Sequence, residues 1–204
     1  VLVQRCYARG GRHDFVANGR AWGPNAFVDC YAANIKNETG SHMKYATGLL
    51  YDNVKVIASP DGGDYGLVVR YRGPKNNHGQ MGGQTIFWNS VSLKHDLTPG
   101  RIVCETPLNA MNFAIGCKGL KQDGTDCSPY FNTYNGPDGV FDPMYNKDNI
   151  LDEHVKIRSL YFRQLEERLG KDALDNVMTS EQKDGTIWDT LHDWAGEGDP
   201  GWSS

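Results

Sequence analysis

The sequence lacks a long apolar run, an excess of positive charge and a closely spaced cysteine pair. Its 204 residues carry a formal net charge of −4, which argues against the basic surface that binds phosphate backbones, so we expect no nucleic-acid partner. No stretch approaches the ~18 apolar residues of a transmembrane helix, so we expect no membrane partner. The five cysteines show no Cys-x-x-Cys spacing, which argues against a zinc or thioredoxin-like site. Their odd number leaves at least one thiol free or bonded to another chain.

The composition and the N-terminal residues point to a processed, turn-rich β protein. The 24 glycines and 11% aromatic residues suit short strands and turns better than a helical bundle. The chain begins at Val1 on a strand-like run, with neither an initiator methionine nor a signal peptide, which is typical of a mature chain. Asn37 opens the glycosylation tripeptide Asn-Glu-Thr beside a glycine. These features predict a secreted, extracellular protein.

Five short apolar runs recur along the chain, and each ends in a small residue. The runs end at Cys6, Cys30, Asn53, Ser90 and Cys117. The intervals between these ends are 24, 23, 37 and 27 residues. Three positions upstream of each end, the column of residues is apolar throughout: Val3, Phe27, Leu50, Phe87 and Ala114. One short strand per period of twenty-odd residues predicts an all-β fold, a parallel β-solenoid whose coils stack like residues about 4.8 Å apart. A jelly roll or sandwich also has many short strands, but it would not bring these small residues to one phase.

The character of the sequence changes after Cys127. We therefore expect solenoid coils over residues 1–127 and a C-terminal loop and short-helix tail over 128–204. Ser159 is placed as the N-cap of an amphipathic helix that ends at Gly170, and a second short helix follows it. This tail is expected to pack along the solenoid or to cap its last coil. The first coil starts in mid-strand without a cap, which predicts a preceding N-terminal portion or a partner chain over it.

Two similar phrases, each opening with histidine, lie within the predicted coils. Aligning "HDFVANG" with "HMKYATG" places His13 over His42 and Gly19 over Gly48. His78 falls at about the same phase in the next coil, so three imidazoles are expected on one face, beside several cations. A histidine next to a turn is often structural and merely caps backbone groups. Three histidines would also suit a metal ion, but no carboxylate accompanies them with ligand-like spacing, so we rank a metal site lower.

Five segments together carry a resemblance to a known family. They are "GRHDFVANGRAWGPNAFVDCYA", "GSHMKYATGLLYDNV", "HGQMGGQTIFWNS", "NFAIGC" and "RSLYFRQLEERLG". In this order they resemble secreted right-handed parallel β-helix proteins that are related to pectate-lyase-like polysaccharide-active enzymes. The resemblance covers about residues 1–175. Similar proteins have two histidines and an arginine where this chain has His-Met-Lys at 42–44, and His-Gly-Trp where it has His-Gly-Gln at 78–80. They are also much longer, so this chain would correspond to their C-terminal coils.

The resemblance implies β-elimination on an acidic, uronate-containing polysaccharide. That reaction needs a cation to neutralise the carboxylate, a base for the adjacent C–H, and an acid for the leaving oxygen. His42 is the expected base because its ordinary pKa is near neutrality. The candidate catalytic residues are His42, Lys44, His13 and Tyr45. The candidate substrate-binding residues are His78, Arg70, Arg72 and Arg12. No cofactor is required, although Ca²⁺ could bind the Asp-rich turns.

Two other functions stay open at this stage. Hydrolysis needs two opposed carboxylates, and Asp14 and Asp29 are candidates only by default. A non-catalytic extracellular protein that binds glycans or builds a matrix is the alternative from another functional class. The short length and the substituted family phrases favour this alternative.

Overall fold

The computed structural model describes residues 1–61, 66–73, 77–94, 100, 102–105, 107, 110–120 and 154–195, and the backbone of 126–127. The strands of this part are β1 Leu2–Gln4, β2 Tyr7–Arg9, β3 Trp22–Val28, β4 Tyr31–Ile35, β5 Thr39–Gly40, β6 Ala46–Asp52, β7 Lys55–Ala58, β8 Leu67–Val69, β9 Gly82–Trp88, β10 Val91–Lys94, β11 Ile102–Cys104, β12 Phe113–Ile115, β13 Lys118–Leu120 and β14 Asp126–Cys127. The helices are α1 Leu160–Leu169, α2 Lys171–Val177, α3 Ser180–Asp184 and α4 Ile187–Trp194. None of these helices is long and apolar enough to span a membrane.

The strands form three sheets that the chain visits in turn. The first sheet has the order β1-β3-β6-β9-β12, and the second has β2-β4-β7-β10-β13, with β14 added at its end. The third sheet has the order β5-β8-β11. All pairings are parallel except β13 with β14. A mostly β protein with short parallel strands is therefore confirmed, and each circuit of the chain adds a strand to the first and second sheets.

The strand register confirms four members of the predicted column of small residues and corrects the fifth. Leu2 pairs with Ala26 and Tyr7 with Tyr31, which places Cys6 beside Cys30. The next circuits are offset by 24 and 36 residues, as the pairs Ala26–Leu50 and Leu50–Ile86 show. Val54 therefore joins the column instead of Asn53. The prediction of Asn53 was wrong by one residue because a buried valine fills this position as well as a small polar residue does.

The same correction applies to the apolar column inside the sheets. Tyr51, and not Leu50, lies in register between Phe27 and Phe87. The rings of Phe27 and Tyr51 stack with centroids 4.9 Å apart, and the Tyr51 and Phe87 centroids are 5.3 Å apart. The Tyr51 hydroxyl donates to the Phe15 carbonyl at 3.1 Å. This pairing satisfies the one polar group of a fully buried side chain.

A column of residues with positive φ forms the corner between the first and second sheets. Its members in successive circuits are Arg5, Asp29, Asn53, Asn89 and Gly116, with φ of 53°, 52°, 52°, 45° and 66°. Asp, Asn and Gly tolerate this left-handed region better than other residue types. The backbone N–H of Asp29 donates to the Asp52 carbonyl at 2.9 Å, and that of Asn53 donates to the Trp88 carbonyl at 2.9 Å. Each corner is thus bonded to the next circuit.

The C-terminal segment packs against this corner column. Arg158 forms an ion pair with Asp29 at 2.6 Å, and Gln182 donates to the same carboxylate at 2.7 Å. The Ser159 hydroxyl donates to Asp52 at 2.7 Å. Farther along the segment, Ile187 and Leu191 of α4 join a second apolar cluster with buried residues of the second sheet, Tyr31, Ala33, Ile57 and Leu93.

The two helices predicted for the C-terminal segment are confirmed. Ser159 caps α1 by accepting from the Phe162 N–H, and Gly170 ends the helix. The predicted second helix is α2. The helices α3 and α4 were not predicted, because the sequence after Met178 shows no clear apolar period. The capping box of Thr179 and Gln182 at the start of α3 was a signal that the prediction missed. Most of the predicted loop after Cys127, residues 128–153, lies outside the described residues.

Four of the five cysteines have side chains in the described part of the chain, and all four are free thiols. They are Cys6, Cys30, Cys104 and Cys117. Burial raises the pKa of Cys30 and Cys117 to about 12. These thiols therefore stay protonated at neutral pH and pack as small apolar side chains.

Candidate functional site

Three imidazole rings stack along one side of the sheets, as the sequence predicts. The ring centroids of His13 and His42 are 4.5 Å apart, and those of His42 and His78 are 5.1 Å apart. Both contacts are edge-to-face, with interplanar angles of 61° and 80°. The backbone holds the turns together, since the His42 N–H donates to the Ala17 carbonyl at 2.9 Å and the Lys44 N–H to the His78 carbonyl at 3.0 Å. We call these three rings the histidine stack.

The repeated phrase predicts the ring contact but not the backbone register. Ala17 forms a parallel bridge with Ser41, an offset of 24 residues and not the 29 residues of the phrase alignment. A Cβ on Gly48 would lie 3.2 Å from the Gly23 Cα, so Gly48 packs against Gly23. The prediction that Gly19 lies over Gly48 was therefore wrong. His13 reaches His42 from a preceding turn, and not from an equivalent place in the ladder.

A buried carboxylate accompanies the histidine stack, and sequence reasoning missed it. Glu38 is 1% exposed, and the Arg72 Nη1 lies 2.8 Å from its Oε1. The same Nη1 lies 3.0 Å from the His42 Nδ1. The sequence does contain a signal for this arrangement. Glu38 and His42 flank the two-residue strand β5 four positions apart, and side chains at even spacing along a strand point to the same face.

The surroundings of His42 keep its ring neutral at pH 7. Burial lowers the pKa of His42 below its ordinary value of 6.5, and the neighbouring His13 and Arg72 lower it further. Glu38 opposes this shift but does not reverse it. Because an arginine only donates, the Nδ1 of His42 accepts from Arg72, and the neutral ring carries its proton on Nε2.

The ring of His13 has a defined tautomer too. Its Nδ1 lies 3.0 Å from the backbone carbonyl oxygen of Glu38. A carbonyl only accepts hydrogen bonds, so this Nδ1 carries a proton and donates it. The Nε2 of a neutral His13 ring therefore keeps a free lone pair.

The other predicted site residues lie in different surroundings. Arg12 and Lys44 are exposed. Arg70 interacts with Glu105, where burial raises the pKa of that carboxyl to about 7 and Arg70 opposes the shift. The Tyr45 hydroxyl lies over Gly83 of the next circuit, where a Cβ would stand 2.7 Å from it. The histidines and Arg72 thus form one contact group, whereas the charge of Arg70 acts on Glu105.

The remaining candidates also have defined places. Asn37 is half-buried, and its Oδ1 accepts from the Glu38 N–H at 2.9 Å. Asp14 is half-buried, and burial raises the pKa of its carboxyl. Asp29 is fully buried and bonded to Arg158 and Gln182. These bonds use both oxygens of Asp29, so it is not available as one of two hydrolytic carboxylates.

Comparison of the chain with protein-family models, with curated proteins and with solved structures finds no match. The histidine stack and its partners Glu38 and Arg72 are therefore the basis for assigning a function.

Proposed function

We propose that this chain is a right-handed parallel β-helix protein of the pectate-lyase-like class that cleaves an acidic polysaccharide by β-elimination outside the cell. The order in which the chain visits three parallel sheets supports a parallel β-helix. Its proposed right hand follows from the general rule that about 98% of crossover connections between parallel strands are right-handed. The contact of Arg72 with the neutral ring of His42 is the observation that carries the proposed chemistry.

Arg72 and His42 can divide the first half of the reaction between them. A uronate carboxylate that binds Arg72 would compete with His42 and Glu38 for its guanidinium, since Arg–carboxylate pairs favour bidentate geometry. Neutralising that carboxylate acidifies the adjacent C–H. Moving Arg72 to the substrate also frees the His42 Nδ1 lone pair, which takes the proton. The base is therefore released at the moment when the acidified C–H is in place.

The second half of the reaction needs an acid. The electron pair of the C–H bond forms a C=C bond, the glycosidic C–O bond breaks, and the leaving oxygen takes a proton. Tyr45 and His13 stay the candidates for this proton donor. Lys44 is exposed and can bind a further carboxylate of an extended chain. Arg12, Arg70 and His78 remain proposed contacts to more distant sugars.

Absorbance of the conjugated unsaturated uronate tests this proposal. Alginate, pectate and glycosaminoglycans are incubated with the wild-type protein, with His42→Ala, and with His192→Ala as a matched control. His192 lies on α4 and stacks on Tyr31. We expect a rise with wild type and control, and a loss of about 10²-fold or more for His42→Ala. On the acid side, the rate should fall to half its maximum at a pH below 6.5, because His42 must be neutral and its pKa is lowered. No rise with any of these polymers contradicts elimination.

A second candidate is glycan binding without turnover. Trp22 is 73% exposed on the first sheet, and Leu2 in the adjacent strand is 38% exposed. An exposed aromatic ring is a typical platform for sugar faces. If the polymers bind without any rise in absorbance, and Trp22→Ala weakens that binding while His42→Ala does not, this second function is supported.

A further inference from the structure

We propose that Glu38, His13 and His42 form a binding site for a divalent transition-metal ion of the zinc class. One potential ligand atom from each residue lies within 4.8 Å of the others. Two imidazoles and a carboxylate are a ligand set that Zn²⁺, Co²⁺ and Ni²⁺ accept. Ligands about 2 Å from a tetrahedral ion lie roughly 3.3 Å apart, so side-chain movements of about 1 Å suffice.

The ring of His13 is already oriented as metal-bound histidines are. Such a histidine donates its second ring N–H to a carbonyl or carboxylate, which fixes the tautomer and directs the other nitrogen to the ion. The His13 Nδ1 makes this bond to the Glu38 carbonyl at 3.0 Å. Its Nε2 is the nitrogen left for the metal.

The carboxylate of Glu38 is buried and incompletely satisfied. Neither of its oxygens accepts a hydrogen bond of good geometry from the described residues. The Arg72 Nη1 lies 2.8 Å from Oε1, so the ion pair neutralises the charge without the directed N–H that a buried carboxylate normally has. Lone pairs of a buried carboxylate without donors are costly. A metal ion would satisfy them.

Arg72 places its positive charge between two of the proposed metal ligands. Its Nη1 lies between the Glu38 carboxylate and the His42 Nδ1, at 2.8 Å and 3.0 Å. A metal ion that binds the same two groups has to displace this nitrogen. Arg72 is thus the internal competitor of the metal, and its removal should tighten metal binding. The ion would also link the turn of His13 to the segment around β5, in addition to the bridge between Ala17 and Ser41.

Zinc titration calorimetry of the purified full chain, with Co²⁺ absorption spectra as a second readout, tests the site. We expect one ion per wild-type chain. His13→Ala and Glu38→Gln should weaken binding by about tenfold or more. Arg72→Met, which keeps the length of the side chain but not its charge, should tighten binding by roughly tenfold. His192→Ala is the matched control and should bind as the wild type does.

Circular dichroism of each variant shows whether it folds, and His13→Ala carries the test alone if Glu38→Gln does not. Zinc binding that His13→Ala leaves unchanged would place the ion elsewhere and overturn the proposal. So would an absence of binding to both wild type and Arg72→Met. Binding is measured on the protein alone, so the result is independent of whether the chain cleaves a polysaccharide.

Discussion

Asp29→Asn should destabilise the protein by about 3 kcal/mol. Asp29 is fully buried, and it accepts from the Arg158 Nη2 at 2.6 Å and from the Gln182 Nε2 at 2.7 Å. Asparagine has nearly the same size as aspartate and tolerates the φ of 52° at this position. The substitution therefore removes the negative charge and replaces one acceptor oxygen with an NH₂ group. Losing one partner of a buried ion pair costs about 3–5 kcal/mol. The Arg158 side chain is 27% exposed, and water screens its remaining charge, which places the expected cost at the lower end.

Urea unfolding, followed by tryptophan fluorescence and by far-UV circular dichroism, measures this loss. The Trp188 Nε1 donates to the Asn53 carbonyl at 3.0 Å, so fluorescence reports whether the C-terminal segment is docked. Asp175→Asn is the matched control, since Asp175 pairs with Lys171 and Lys183 at 2.5 Å and 2.8 Å in exposed positions. Exposed pairs contribute little, so the control should lose much less stability. A loss below about 1 kcal/mol for Asp29→Asn would refute the reasoning.

Two further predictions concern pH and backbone space. Burial raises the pKa of Asp52 from 3.8 to about 7, so the folded state holds a proton that the unfolded state has released. Stability should therefore fall as pH rises between these values, by up to ~1.4 kcal/mol per pH unit, and Asp52→Asn should reduce this slope in urea titrations at several pH values. The pKa of Glu105 is raised as well, so part of the pH dependence of stability should remain in Asp52→Asn. A slope that Asp52→Asn leaves unchanged would contradict the raised pKa of Asp52. Gly40→Ala places a Cβ 2.1 Å from the Val68 carbonyl oxygen and should lower thermal stability far more than Gly10→Ala, which meets nothing within 4 Å. We expect about 1 kcal/mol for Gly10→Ala, and equal melting temperatures of the two variants would count against the strand contact.

The parts of the fold that repeat were predictable from the sequence, because stacking imposes one residue type on one phase. Cys6, Cys30 and Cys117 mark the true register for this reason. Asn53 misled the alignment because the positive-φ corner and the column of small residues are adjacent positions, and asparagine suits both. The strand register is needed to assign Asn53 to the corner and Val54 to the column of small residues.

The candidate site was predictable in part. Histidines at about one phase predicted the stack. Glu38 and the position of Arg72 were not found, because they depend on the third sheet, whose strand β5 has only two residues and leaves almost no pattern in the sequence. The family resemblance stays an expectation. The proposed chemistry depends on the contacts among the three rings of the histidine stack, Glu38 and Arg72.

The corner column determines how the protein should lose its structure. Stacked architectures can unfold one layer at a time, because each layer contacts only its neighbours. Here each layer is one circuit of the chain, and the segment from Val155 to Arg158 binds three of them at once. Asn89 accepts from the Val155 N–H, and Asn53 donates to the Arg158 carbonyl. Asp29 of a third circuit pairs with the Arg158 side chain. Opening any one of these layers breaks a bond to the shared segment. The layers should therefore melt together in a single transition.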